Sequence, residues 1–159
     1  MKRTKSYLRW IRLALLLLWV YAAVSKLQEV EVFYMQLLRQ PLPVWLAPYL
    51  VWALPAMELI AAGLLVFRPS QAAGLWLSLG LLLLFSCYVG LAVLGVWQEL
   101  PCACGGVLSQ LGWGEHLVFN LLFTALAVCG LYLCKKQRRR GGIGRAASSG
   151  AAAYQSGGQ

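Results

Sequence analysis

Four long apolar stretches constrain this chain more than any motif it carries. They run from about Tyr7 to Val24, Val44 to Phe67, Ala72 to Trp97 and Leu117 to Cys134. Each approaches or exceeds the roughly 17 to 25 residues that a helix needs to cross a hydrocarbon core. The expected fold is therefore all-α, a four-helix transmembrane bundle occupying residues 1–140. Composition points the same way: 12% of the 159 residues are charged and 60% are hydrophobic, whereas a soluble domain carries about 25% charged residues. Basic residues ahead of the first stretch also suit a secretory signal. The run is long, however, and Val24 and Lys26 blur the small-residue cleavage pattern after Tyr21, Ala22 and Ala23, so it is read as the first helix.

Fourteen Lys and Arg stand against five acidic residues, all Glu, for a net charge of +9. Eleven of the fourteen lie in the first twelve residues or between Lys135 and Arg145. Positive charge flanking apolar segments marks membrane orientation, so a lipid bilayer is the expected partner and nucleic acid is not. With Arg68 in the turn between the second and third stretches, the bias puts both termini in the cytoplasm. The opposite side receives Ser25 to Pro43, where Glu29 and Glu31 offset Lys26 and Arg39, and Gln98 to His116, which has no Lys or Arg. This describes a multi-pass membrane protein. Residues 141–159 are mostly Gly, Ala, Ser and Gln and read as a disordered tail.

Chemistry begins with the cysteines. Cys102 and Cys104 stand in Pro101-Cys102-Ala103-Cys104-Gly105-Gly106 on the expected outer side, while Cys87, Cys129 and Cys134 lie within apolar stretches. Oxidation is expected only at the first two. A disulfide across one intervening residue needs a sharp backbone turn to reach a Cα separation of about 4.4 to 6.8 Å, which Pro101 and the glycines permit. A bond strained in this way is more easily reduced than a structural one and suits exchange. Two other readings stay open: free or separately paired thiols, and a soft-metal site of Cys102, Cys104 and His116 that lacks an evident fourth ligand.

His116 is the chain's single histidine, followed by Asn120 and Thr124 at i+4 and i+8. They form a polar stripe that points into the bundle below the cysteine loop. The imidazole could lower a cysteine pKa or shuttle its proton; equally, it could be an interfacial His beside an Asn hydrogen-bonded between helices. Glu58 is the one ionisable side chain deep inside an expected span, three residues after Pro55. A carboxylate there must be paired or neutral. Arg12 is the expected partner across the bundle, with Lys26 placed nearer the outer surface; a neutral carboxyl that pins packing is the other reading. Trp45, Trp52, Trp97, Trp113 and Tyr49 fall near the expected interfaces and read as belt residues. No quinone or haem motif stands out, and one His cannot supply bis-His haem ligation, so no cofactor is expected.

Several of these segments carry a resemblance. Tyr21-Ala22-Ala23-Val24-Ser25-Lys26-Leu27, Leu54-Pro55-Ala56-Met57-Glu58-Leu59, the Cys102-Ala103-Cys104-Gly105-Gly106 run and Gly112-Trp113-Gly114-Glu115-His116 with Asn120 are similar to the MauE-type membrane proteins of the DoxX-like superfamily, in the form common in Bacteroidetes. The likeness covers about Leu8 to Leu133. One departure is Gly105 directly after Cys104, where the better-known pattern often has Phe. The resemblance implies a four-helix membrane protein tied to methylamine utilisation, assisting export or disulfide formation of the small subunit of methylamine dehydrogenase; other relatives include thiosulfate:quinone oxidoreductase subunits.

Two functions of different class follow. In the first, Cys102 and Cys104 form a membrane thiol–disulfide relay acting on a periplasmic client, thioredoxin-like or itself disulfide-containing, with His116 assisting and Cys87 handing electrons onward. In the second, the chain is a non-catalytic assembly subunit whose cysteines are structural or bind a metal.

Overall fold

A computed structural model describes residues 2–96 and 112–156. Helices α1 (Lys2–Gln28), α2 (Val30–Leu38), α3 (Ala47–Val66), α4 (Gln71–Val93) and α5 (Trp113–Ser156) follow one another, with a 3-10 turn over Val44–Leu46, and there is no strand among the described residues. Four segments are long and apolar enough to cross a membrane: Ser6–Gln28, Val44–Val66, Gln71–Val93 and Trp113–Arg139. The all-α, four-span architecture expected from the apolar stretches is the one observed.

The boundaries differ where local chemistry decides them. Helix α4 stops at Val93, short of Trp97, because Gly95 adopts φ 71. Gly95 N–H then donates to Ala92 O and Val96 N–H to Leu91 O, the paired bonds of a Schellman stop. Helix α5 runs past Cys134 to Ser156, through the segment whose composition reads as a tail; Lys135, Lys136, Gln137 and Arg138 are strong helix formers that carry the helix beyond its apolar part. The stretch after α1 is not a plain loop. Val30, Phe33, Tyr34 and Leu37 recur at helical spacing, and α2 forms on them, burying Phe33 and Leu37 against Ala47 and Val51 of α3.

The four long helices close into a ring, α1 against α3 and α5, with α4 between α3 and α5. Leu15, Trp19, Leu65, Leu75, Leu82 and Ala127 fill its centre. Trp19 Nε1 donates to Ser78 Oγ at 2.9 Å, giving the buried indole its partner and fixing α1 against α4. The chain runs up and down: Arg12 of α1 reaches the end of α3 at Leu65 and the start of α4 at Gln71, and Gly130 of α5 lies against Leu75 and Ile11. One end of the bundle thus gathers the start of α1, the α3–α4 turn and the later part of α5. The other end carries α2 and the start of α5.

The last carbonyls of α3 need partners once the helix ends. Ser70 Oγ donates to Leu64 O at 2.9 Å, while the Arg12 guanidinium donates to Leu65 O and Val66 O. These caps hold the α3–α4 turn so close that a Cβ on Gly74 would stand 2.9 Å from the backbone of Leu64 and Leu65. Outward, Leu17, Trp76, Leu84, Leu122 and Tyr132 are exposed. An apolar surface of that extent suits lipid rather than water.

Candidate functional site

Lys26 and Glu58 meet in the interior. Lys26 Nζ lies 2.8 Å from Glu58 Oε1, and their side chains are only 5% and 1% exposed. Glu58 is therefore not partnered by Arg12, as the sequence suggested; Arg12 caps α3 at the opposite end of the bundle. The reason is α2. Counted along α1, Lys26 sits two residues from the helix end, but α2 folds over that end and puts the Phe33 ring 5.9 Å from Nζ. A cation–π contact and the Ala22 carbonyl, 3.2 Å away, complete the ammonium's surroundings. Pro55, three residues before Glu58, is also fully buried, so the carboxylate rises from an apolar stretch of α3 and needs its cation.

Helix α5 adds two polar groups to the same place. His116 and Asn120, one turn apart, are 3% and 5% exposed. These two positions of the stripe turn inward, while Thr124 is half-buried and donates from Oγ1 to Asn120 O of its own helix at 2.8 Å. Lys26, Glu58, His116 and Asn120 share a cavity of about 60 Å³ with Trp19 and Phe85. Glu58 Oε2 and Asn120 Nδ2 are both buried without a protein partner among the described residues. One is an acceptor and the other a donor. The cavity exceeds the roughly 10 to 15 Å³ a water needs, so water can satisfy both groups.

Cys102 and Cys104 lie outside the described residues, in the segment that leads into α5. Cys87 does not join the cavity: it is exposed on α4, as Cys129 is on α5, while Cys134 is buried. Glu115 is exposed and accepts from Gly112 N–H at 3.3 Å, where a negative charge suits the helix start. Of the aromatic belt, Trp45, Tyr49 and Trp52 are exposed, Trp113 meets Tyr88 in a tilted contact with ring centroids 6.5 Å apart, and Trp97 lies outside the described residues. Sequence reasoning missed the tie between α4 and the turn after α2, where Tyr88 OH donates to Gln40 Oε1. A polar residue directly before Pro41 was the available signal.

The family profile of methylamine utilisation protein MauE matches residues 4–133. The chain belongs to the MauE family. A methylamine utilization protein MauE from Paracoccus denitrificans is 32% identical over 121 residues, covering 74% of this chain and 64% of the relative. The chain thus spans less than two-thirds of that relative's length, and no solved structure matches. In this MauE-family member the Ser25-Lys26 and Pro55-x-x-Glu58 elements, separate in sequence, come together as one buried ion pair.

Proposed function

We propose that this MauE-family chain is a multi-pass protein of the bacterial cytoplasmic membrane that serves methylamine utilisation by thiol–disulfide exchange with a periplasmic client, Cys102 and Cys104 being the exchanging pair. The observation that carries the reading is the buried polar chamber of Lys26, Glu58, His116 and Asn120, built where α5 begins and the cysteine-bearing segment joins it. A charged pair, a histidine and two polar atoms without a partner among the described residues are costly in an apolar bundle unless used.

The exchange balances without any further reagent. One cysteine thiolate attacks a client disulfide, forming a mixed disulfide as the client S–S bond breaks and the departing thiolate takes a proton. The second cysteine then attacks the mixed disulfide, leaving a Cys102–Cys104 disulfide and a client dithiol; the reverse sequence oxidises the client. His116, twelve residues from Cys104 in sequence, is the group suited to holding the proton that each thiol gives up. Lys26 and Glu58 set the charge of its surroundings.

A Cys104→Ser variant that also carries Cys87→Ser, Cys129→Ser and Cys134→Ala should retain a client as a mixed disulfide on Cys102. Mass spectrometry identifies it. Adding Cys102→Ser should abolish the adduct, and absence of any adduct both from the form that keeps Cys102 and from the matching one that keeps Cys104 in its place would refute the exchange.

A further inference from the structure

At the opposite end of the bundle, Arg9 and Arg12 of α1, Arg68 of the α3–α4 turn, Gln71 of α4 and Gln137 of α5 surround a pocket of about 170 Å³ above Leu8. Guanidinium groups stay charged at any ordinary pH. None of the three is paired with an acid among the described residues. Arg12 is held in place, with Nε and Nη2 on the Leu65 and Val66 carbonyls and Nη1 3.1 Å from Gln71 Oε1. That contact occupies the Gln71 acceptor. Gln137 Nε2 is a buried donor with no partner among the described residues, while Arg9 and Arg68 are exposed at the rim.

The pocket thus presents positive charge and an excess of donors, in a volume far beyond the roughly 10 to 15 Å³ of a single water. Its complement is an anion with several acceptor oxygens, which forked guanidinium donors bind in the bidentate manner of phosphate recognition. Depth narrows the source. The apolar spans begin at Ser6 and Gln71 and end at Val66 and Arg139, so the pocket lies at the level of lipid head groups, where basic pockets between helices take anionic lipids. We infer that this pocket is a phosphate-binding site, filled by the head group of an anionic phospholipid seated between α1, the α3–α4 turn and α5.

The test uses the full chain purified in a neutral detergent. Native mass spectrometry and thermal unfolding are followed with phosphatidylglycerol, phosphatidylcholine and inorganic phosphate. The expected result is at least tenfold preferential retention of phosphatidylglycerol over phosphatidylcholine, with a matching rise in unfolding temperature. Arg9→Gln combined with Arg68→Gln should remove the preference while helical content stays, because both side chains are exposed and cap nothing. Gln137→Glu, which sets a carboxylate in the pocket, should remove it too. Stabilisation by inorganic phosphate that is lost in the same variants would assign the site to a free anion and keep the phosphate chemistry. No preference for phosphatidylglycerol together with no response to phosphate, or a preference that survives both sets of variants, overturns the site.

Discussion

Replacing Lys26 by Met tests the buried pair most sharply. Two opposite charges 2.8 Å apart, at an effective dielectric of about 20, attract by about 6 kcal/mol. Desolvation of both ions offsets much of that, so the pair adds little net stability over an apolar pair of similar volume. The asymmetry appears when one partner is removed. In Lys26→Met the Glu58 carboxylate loses its Oε1 partner, and its Oε2 already has none among the described residues. The expected loss is about 3 to 5 kcal/mol. Glu58→Leu should cost a similar amount by stranding the ammonium, whereas Lys26→Met with Glu58→Leu should recover most of the loss. Thermal or denaturant unfolding in a single detergent, followed by circular dichroism, measures all four corners of the cycle. Single losses of about 3 kcal/mol or more each, most of which the double variant recovers, make the coupling at least about 4 kcal/mol, above the roughly 0.5 to 3 kcal/mol usual for contacting residues. A double variant whose loss equals the sum of the single losses would show that Lys26 and Glu58 do not act as a pair.

Gly74→Ala should destabilise by about 1 to 3 kcal/mol, since its Cβ meets backbone at 2.9 Å and backbone cannot swing aside; Gly80→Ala, with open space around it, should be neutral in the same melt. Phe33→Ala should cost about 3 to 5 kcal/mol by emptying the contact of α2 with α3 and should speed hydrogen exchange at the start of α3. Trp19→Phe strands Ser78 Oγ, for about 1 to 3 kcal/mol, and Trp19→Phe with Ser78→Ala should recover part of that in unfolding experiments. In intact cells, an impermeant maleimide applied after mild reduction should label Cys102 or Cys104; labelling only after membrane rupture would reverse the topology.

The spans were legible because apolar length is a one-dimensional property that the bilayer imposes. So was the inward stripe of His116 and Asn120, since helical spacing alone puts i and i+4 on one face. Helix α2 was hidden by Glu29, Glu31 and Arg39, whose charges made an amphipathic segment resemble a solvated loop. That omission produced the wrong partner for Glu58. Without α2, Lys26 falls at the surface and Arg12 is the nearest cation; with it, Lys26 is covered and Arg12 is freed to cap α3. The Trp19–Ser78 bond joins residues 59 apart, and nothing within either helix specifies how α1 and α4 face each other.

Redox titration of the purified chain, read by alkylation of Cys102 and Cys104 and mass spectrometry, tests the exchange chemistry most directly. The account predicts a reversible two-electron couple well above the roughly −300 mV below which structural disulfides lie, shifted when His116 is replaced by Gln. Thiols that stay reduced across the titration, or a bond that resists reduction down to that potential, would contradict it.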